Sequence, residues 1–195
     1  MLSKYKYLIE PILKLLSQPF IKLNVDPCTL SLAGFITSLL YVASVWLKAG
    51  LGVILILYVT SLVMDSLDGI VARYLGKVTT FGAFLDSTLD RLSDSIYSYS
   101  LMELGVANVY EFTVLLIGSY MVSYSRARAE GLGIKMAGVG LGERAERGII
   151  ILLIIIFSHF NLLISRLFLY ILIIITYITF AERVIKVLDE SKKRE

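Results

Sequence analysis

Four aspartates lie in an otherwise apolar part of the sequence, between residues 65 and 90. They form two pairs, Asp65 with Asp68 and Asp86 with Asp90, whose members are three or four residues apart. Residues with that spacing share one face of an α-helix. An ionised aspartate at the centre of a membrane helix costs about 2.5–3.5 kcal/mol on the insertion scale, so intramembrane acids usually mark a function. The pattern therefore predicts two helix faces whose four carboxylates converge on one site.

Four carboxylates that converge repel one another and need positive charge nearby. Arg73 and Arg91 lie beside them but would leave an excess of negative charge. Hard divalent cations supply that charge, and Mg²⁺ or Mn²⁺ suits a site that must also hold phosphate. The alternative is structural ion pairing with Arg73, Arg91 and Lys77. A ligand site is favoured over it because Gly69 and Gly82 bracket the pairs, and glycine lets a ligand approach closely.

The composition indicates that these helices lie in a membrane. The 195 residues are 57% hydrophobic, whereas soluble domains are about 45–50% apolar. Apolar runs near 18 residues, long enough to span a bilayer, recur along the chain. The formal net charge of +3 is too small to indicate a nucleic-acid partner, and the single cysteine, Cys28, excludes an intrachain disulfide. These features predict an all-α integral membrane protein.

The apolar runs predict six transmembrane helices, preceded by an amphipathic helix that lies in the membrane interface. The interfacial segment covers residues 1–24, where Pro11 and Pro19 are expected to interrupt any long helix. We therefore predict three parts: the segment 1–24, a six-helix domain at 25–189 and a polar tail at 190–195. The predicted spans are residues 28–47, 51–73, 79–102, 109–128, 145–160 and 162–187.

The distribution of lysine and arginine predicts the orientation in the cell membrane. Most basic residues fall in the N-terminal segment, at Arg73 and Lys77, in the 126–147 stretch and in the C-terminal tail. By the positive-inside rule, both termini and the aspartate-rich helix ends are expected in the cytoplasm. The basic N-terminus lacks a long apolar region followed by a cleavage site, so we do not expect a removed signal peptide.

The aspartates belong to a longer pattern that resembles a known family. Asp65-x-x-Asp68-Gly69-x-x-Ala72-Arg73, eight residues, then Gly82-x-x-x-Asp86-x-x-x-Asp90 matches the signature of the CDP-alcohol phosphotransferases. Members of that family transfer a substituted phosphate from a CDP-linked lipid to an alcohol and release CMP. The resemblance also implies a homodimer and covers essentially the whole chain.

The resemblance implies a role for each residue of the pattern. Two ions, Mg²⁺ or Mn²⁺, would be held by the aspartates, and Asp90 would also be the general base that deprotonates the acceptor. In-line transfer then requires mainly positioning and electrostatic stabilisation. Cys28 is a poor substitute for the Asn or Asp that often follows proline in the family's first span. The implied metal ligands are Asp65, Asp68, Asp86 and Asp90, and the implied CDP-lipid contacts are Gly69, Ala72, Arg73, Thr79, Gly82 and Ser31.

A second group of charged residues concerns the acceptor. Arg126 and Arg128 end the fourth predicted span, Arg144 and Arg147 begin the fifth, and Arg183 lies late in the sixth. Several guanidinium groups from separate helices suit a phosphate dianion. The alternative is anchoring on the cytoplasmic side with ion pairs to nearby glutamates.

The sequence around these arginines resembles one subgroup, the phosphatidylinositol-phosphate synthases and their archaeal counterparts. The matching stretches are Ser-Tyr-Ser-Arg-Ala-Arg-Ala-Glu at 123–130 and Glu-Arg-Ala-Glu-Arg at 143–147. The resemblance implies that the acceptor is myo-inositol 1-phosphate. The residues implied to bind it are Arg126, Arg147 and Arg183, with Ser123 and Arg128 beside them.

Other functions remain open at this point. Glycerol 3-phosphate is also a phosphorylated acceptor and would satisfy the same arginines. A divalent-cation transporter also places acids in membrane helices, although it would want them near the midplane. Asp94 shares the face of Asp86 and Asp90 and is compatible with either an inositol contact or an ion pair. The donor is CDP-archaeol or CDP-diacylglycerol, and the scarcity of asparagine and glutamine tilts the prediction toward archaeol.

Overall fold

The computed structural model describes residues 6–194, and its side chains are described from residue 11 onward. Residues 1–5 of the predicted interfacial segment and residue 195 of the predicted tail lie outside the described part. Within it the chain forms seven α-helices and no strand, which confirms the all-α prediction. The helices are α1 (Lys6–Lys22), α2 (Pro27–Trp46), α3 (Leu51–Tyr74), α4 (Thr80–Glu103), α5 (Val109–Gly131), α6 (Arg144–Ser158) and α7 (Leu162–Lys192).

Local sequence signals explain where several helices begin. Pro27 occupies the first turn of α2, where its missing N–H costs no hydrogen bond. The Asn108 side chain accepts a 2.9 Å bond from the Glu111 N–H, and the Glu111 carboxylate accepts a 2.8 Å bond from the Asn108 N–H. This reciprocal pair is a capping box that starts α5. The Asn161 side chain caps α7 without a reciprocal bond, since its Oδ1 accepts a 3.0 Å bond from the Leu163 N–H.

Two features of the helices differ from the prediction. α1 is one continuous helix with Pro11 and Pro19 inside it, so the prediction that these prolines interrupt a long helix was wrong. α1 packs against α3, and that tertiary contact offsets the two missing N–H groups. α7 continues beyond residue 187 to Lys192 because a 2.9 Å ion pair between Lys186 and Glu190 supports its polar last turn.

The described chain divides into two compact units, and the boundary lies within α4, between Ser100 and Leu101. We call residues 6–100 the aspartate unit and residues 101–194 the arginine unit. In the aspartate unit α3 packs against both α1 and α2. In the arginine unit α7 packs against both α5 and α6.

Three helices, α2, α3 and α7, are long and apolar enough to cross a membrane, with mean hydropathies of 1.8, 1.8 and 2.2. Many large apolar side chains on them are exposed, such as Ile36, Ile56 and Ile174. Serine and threonine hydroxyls, by contrast, are buried, as at Ser38, Ser61 and Thr176. Apolar residues outside and small polar residues between helices are typical of proteins in lipid. By the same criteria of length and composition, α4 and α5 carry charged residues along their length, and α6 has only 15 residues.

Candidate active site

Three of the four signature aspartates converge in the aspartate unit. Asp65 projects from α3, and Asp86 and Asp90 project from α4. Each offers a carboxylate oxygen, and these oxygens lie within 4.8 Å of one another. All three side chains are half-buried, and three hard oxygen donors so close together suit a divalent cation. Asp90 is also held by Arg91, whose Nη1 lies 3.2 Å from Asp90 Oδ2.

The fourth aspartate, Asp68, is more deeply buried and has a different partner. Its side chain is 5% exposed and accepts a short hydrogen bond from the Ser31 hydroxyl on α2. Asp68 lies within electrostatic range of Asp65 and Asp86 but outside the group of three. Ser31, predicted to contact the CDP-lipid, therefore also orients a predicted metal ligand.

A cavity of about 460 Å³ opens beside these carboxylates. Its wall is formed by the ends of α2, α3 and α4 and by the short connection between the last two helices. Asp68 and Asp86 line it on the acidic side. The structure brings all six residues predicted for CDP-lipid around this one cavity: Ser31, Gly69, Ala72, Arg73, Thr79 and Gly82.

The sequence between the two helices explains the shape of the cavity wall. Gly76 adopts a φ of +65°, which ends α3 and turns the chain toward α4. Thr79 then caps α4, because its hydroxyl accepts a 2.9 Å bond from the Gly82 N–H. A Cβ at Gly82 would lie 2.9 Å from Thr79 Oγ1, so glycine keeps this corner open. At Gly69 a Cβ would lie 3.3 Å from Arg73 Nη1, so the Arg73 guanidinium lies directly beside the glycine.

The cavity also includes residues that were not predicted to contact the CDP-lipid. Lys77 lines it and donates a 3.1 Å bond to the Asn24 carbonyl, which ties the connection after α3 to the turn before α2. Asp26 and Cys28 line it from that turn and the start of α2. Cys28 stood out in the sequence because it departs from the family pattern. Lys77 and Asp26 carry no such signal, because isolated charges at a membrane interface are common.

The arginine unit holds a buried positive charge at Arg183. Its side chain on α7 is 3% exposed. Arg183 Nε donates a 3.1 Å bond to the Val139 carbonyl, and its Nη1 donates a short bond to the Val122 carbonyl on α5. Burial of an ionised side chain requires such hydrogen bonds. Arg183 lies within electrostatic range of Arg126 and Arg147, and of the acidic residues Glu130 and Glu143.

The other predicted acceptor residues occupy different surroundings. Arg147, in the first turn of α6, is 6% exposed. Arg126 is partly exposed and forms a 3.0 Å ion pair with Glu130, as the anchoring alternative foresees. Ser123 lies three residues before Arg126 and so on the same face of α5. Arg128 is exposed and lies on another side of α5, apart from the face that carries Arg126.

Known proteins are similar to this chain in sequence and in fold. Residues 25–181 match the family model described as CDP-alcohol phosphatidyltransferase. The archaetidylinositol phosphate synthase of Pyrococcus horikoshii is 39% identical over 194 residues, which cover 100% of this chain and 98% of that protein.

Two solved structures of the phosphatidylinositol phosphate synthase of Mycobacterium tuberculosis have the same fold. The structure with CDP-DAG bound matches with a TM-score of 0.76 and 27% identity, covering 91% of this chain and 94% of the other. The structure in complex with manganese and citrate also has a TM-score of 0.76 and 27% identity, covering 89% and 87%. With a family match across most of its length, this chain is an enzyme of the CDP-alcohol phosphatidyltransferase family.

Proposed function

We propose that this enzyme transfers a phosphatidyl-type group from a CDP-lipid to myo-inositol 1-phosphate and releases CMP. The observation that carries the proposal is the cavity of about 460 Å³, which six of the eight signature residues line: Asp68, Gly69, Ala72, Arg73, Gly82 and Asp86. The relative of nearly equal length is named an archaetidylinositol phosphate synthase, which supports an inositol phosphate as the acceptor.

The aspartates fit a divalent metal site, because three carboxylate oxygens within 4.8 Å of one another form a hard, anionic donor set. Asp65, Asp86 and Asp90 would hold Mg²⁺ or Mn²⁺, and Asp68 would be a further ligand if two ions bind. A manganese complex of a structural relative supports this assignment. The metal, when bound, would neutralise the pyrophosphate of the donor and stabilise charge on the attacking and leaving oxygens.

The side chains around the cavity have different roles in the proposed reaction. Arg73 offers a planar fork of N–H donors for phosphate oxygens, and Gly69 leaves room for that fork. Asp90 takes the proton from the acceptor hydroxyl. The acceptor oxygen then forms a bond to the lipid-bearing phosphorus as the pyrophosphate bond breaks. CMP leaves with the electron pair of that bond.

The arginine unit supplies the phosphate-binding residues of the acceptor site in this proposal. Arg126 and Arg147 both lie within electrostatic range of Arg183, and Arg147 and Arg183 are buried. Like charges that lie close together repel one another, and an anion that binds among them lowers that cost. The phosphate of inositol 1-phosphate is such an anion, with Ser123 as a further contact, whereas Arg128 is exposed on another side of α5 and lies apart from this cluster. Serine and free inositol carry no phosphate group for these arginines to bind.

The donor lipid is proposed to be CDP-archaeol, with CDP-diacylglycerol as the alternative. The name of the Pyrococcus horikoshii relative and the scarcity of thermolabile asparagine and glutamine favour archaeol. The cavity is proposed to bind the CDP headgroup of the donor, and that part is the same in both lipids.

We further propose that α2 to α7 all cross the membrane, with α1 in the interface and both termini and the active site in the cytoplasm. Ile12, Leu15 and Leu16 on α1 are exposed, as an interfacial helix requires. The 15 residues of α6 span about 22 Å, less than the bilayer core of about 30 Å, so its ends would need local thinning or polar neighbours. The domain limits 1–24, 25–189 and 190–195 and the homodimer are part of the same proposal.

The orientation is tested with single cysteines at the two ends of α7. In a Cys28→Ser background, Leu163→Cys and Lys193→Cys place exposed thiols at opposite ends of one helix. A membrane-impermeant maleimide added to intact cells should label residue 163 and spare residue 193. The reverse pattern would overturn the cytoplasmic placement.

The function is tested with purified enzyme, labelled CDP-archaeol or CDP-diacylglycerol, and four acceptors in parallel. The acceptors are inositol 1-phosphate, glycerol 3-phosphate, serine and free inositol, each with Mg²⁺ or Mn²⁺ and with EDTA as control. We expect CMP release and a phosphorylated lipid product with inositol 1-phosphate, and none with EDTA. A higher kcat/KM with glycerol 3-phosphate than with inositol 1-phosphate would show that glycerol 3-phosphate is the acceptor. Cation uptake without CMP release would identify a transporter.

A further inference from the structure

The glycine-rich loop, residues 131–142, is docked tightly on α7 in the arginine unit. The Gly142 N–H donates a 2.7 Å bond to the Thr179 hydroxyl, which itself donates a 2.8 Å bond to the Ile175 carbonyl. Thr179 is 0% exposed, so this hydroxyl has both of its bonds within protein. The Leu141 N–H donates a second bond, of 3.0 Å, to the Glu182 carboxylate one turn farther along.

Two glycines allow the loop to approach this closely. A Cβ at Gly140 would lie 2.4 Å from Thr179 Cγ2, and the φ of +115° at Gly140 excludes most other residues. A Cβ at Gly142 would lie 2.5 Å from Ile175 Cγ2. The fit of the loop to α7 therefore depends on the absence of two side chains.

Apolar contacts hold the other end of the loop. Ile134 and Met136 are buried with Ala129 of α5, and Val139 and Val187 pack against this small core. Met136 is 0% exposed. Since both ends are fixed, the backbone between them has a defined position despite its glycines.

That backbone carries the carbonyl that holds Arg183. Val139 accepts the bond from Arg183 Nε, and the Val122 carbonyl of α5 accepts the bond from Nη1. A guanidinium is a rigid plane with five N–H groups, so two fixed carbonyls determine where the remaining groups point. Thr179 lies one helical turn before Arg183 on the same face of α7. The anchor of the loop and the arginine that the loop orients are therefore direct neighbours.

We infer that the docked loop is a positioning device for the acceptor phosphate. Thr179, Gly140 and Gly142 are positioning residues that act through Val139 on the guanidinium of Arg183. This inference rests on the proposed function, since it requires that Arg183 binds the acceptor. Loosening the loop should weaken acceptor binding and leave the donor site in the aspartate unit unaffected.

The test compares Thr179→Val with two controls in the full-length enzyme. Valine keeps the shape of Thr179 but leaves the Gly142 N–H without its acceptor, whereas Thr179→Ser keeps the hydroxyl. Thr176→Val removes a hydroxyl that is equally buried but bonds only to the Leu172 carbonyl of its own helix, at 2.7 Å. We expect Thr179→Val to raise the KM for inositol 1-phosphate about tenfold, with less than a twofold change for CDP-lipid. Thr179→Ser and Thr176→Val should each stay within twofold for both substrates.

A second pair of variants covers the case in which Thr179→Val does not fold. Gly142→Ala should raise the acceptor KM in the same way, and Ile175→Ala, which removes the clashing Cγ2, should restore it in the double variant. Equal effects on both substrates, or no effect of Thr179→Val and Gly142→Ala, would overturn the inference.

Arg183→Ala separates this inference from the proposed function. If Arg183→Ala raises the acceptor KM and the loop variants do not, the loop has no positioning role and the proposed acceptor site stands. If Arg183→Ala leaves the acceptor KM unchanged, the acceptor site itself is wrong, and the inference is overturned with it.

Discussion

The aspartate unit and the arginine unit hold their charges in opposite ways. In the aspartate unit, carboxylates gather at the edge of an open cavity, and three of their oxygens lie within 4.8 Å of one another. In the arginine unit, Arg183 is 3% exposed and is bonded to two backbone carbonyls, with glutamates in range. In one unit the acidic charges lie close together beside a cavity, whereas in the other the buried guanidinium of Arg183 is held by backbone carbonyls.

The difference indicates how each unit should respond to substitution. A carboxylate that does chemistry at a cavity cannot be replaced by its amide, since the amide neither carries charge nor accepts a proton. A guanidinium that binds an anion contributes mainly affinity. We therefore expect the aspartate unit to control the turnover rate and the arginine unit to control the acceptor KM.

The largest effect should follow from Asp90→Asn in the aspartate unit. The amide keeps the size of the side chain but cannot take the acceptor proton, so CMP release should fall by at least about 10³-fold. CDP-lipid should still bind, as measured by equilibrium binding to the purified variant. Asp189→Asn, at an exposed position near the end of α7, is the matched control for a lost carboxylate. Near-normal turnover of Asp90→Asn would exclude Asp90 as the base.

A smaller effect, on the other side of the comparison, should follow from Arg147→Ala. Loss of one charge-assisted bond to the phosphate should raise the acceptor KM about 10–100-fold, with little change in the KM for CDP-lipid. Arg147→Lys should recover only part of the loss, because lysine lacks the planar fork. Lys186→Ala, which removes a partly exposed charge paired with Glu190, should change neither KM. A parallel rise in both KM values would contradict the division of roles between the units.

Ser31→Ala should have a moderate effect, and on the donor side. Without the Ser31 hydroxyl, the buried carboxylate of Asp68 loses its hydrogen bond from α2. We expect the KM for CDP-lipid, and the Mn²⁺ concentration for half-maximal activity, to rise about tenfold. Ser44→Ala is the matched control, because Ser44 is also 7% exposed on α2 but bonds only to the Tyr41 carbonyl. An effect of Ser44→Ala equal to that of Ser31→Ala would show that the loss reflects helix stability rather than Asp68.

The helices of the candidate site and the residues that share a face on them were predictable, because the number of residues per helical turn hardly varies. The three- and four-residue intervals between the aspartates fix which residues share a face, and the short connection after Gly76 makes α3 and α4 adjacent. The predicted bounds of α2 to α6 consequently differ from the structure by at most three residues at either end. The six predicted CDP-lipid residues lie around one cavity for the same reason.

Contacts between distant parts of the chain were not predictable. The bond between Ser31 and Asp68 joins residues 37 positions apart, and nothing in the spacing indicates it. Two glycines of the 131–142 loop, Gly140 and Gly142, serve close packing on Thr179 and Ile175, and glycine content alone does not indicate this. The continuity of α1 depends on its packing against α3, and local rules for Pro11 and Pro19 do not include tertiary contacts.

The smallest effect on turnover should follow from Ser61→Ala, one turn before Asp65 in the aspartate unit. The Ser61 hydroxyl donates a 2.7 Å bond to the Gly34 carbonyl and lies 2.7 Å from the Tyr97 hydroxyl, so it joins α2, α3 and α4. Its loss should cost about 1–3 kcal/mol of stability and lower the thermal midpoint in detergent by a few degrees. Turnover and Mn²⁺ affinity should change less than about threefold, because a Cβ at Gly34 would lie only 3.3 Å from the Asp65 nitrogen and this close helix contact persists.

Ser66→Ala, which removes an exposed hydroxyl bonded only within α3, is the control for Ser61→Ala and should change neither stability nor activity. Ser61→Ala can then be compared with Thr179→Val in the other unit. A buried hydroxyl one turn from the aspartates should affect stability, whereas Thr179, one turn from Arg183, should affect the acceptor KM. The reason is that Asp65 lies at a close contact between α2 and α3, whereas Arg183 depends on a loop that Thr179 anchors. A loss of Mn²⁺ affinity greater than tenfold in Ser61→Ala would mean that the aspartates, too, are positioned by single hydrogen bonds.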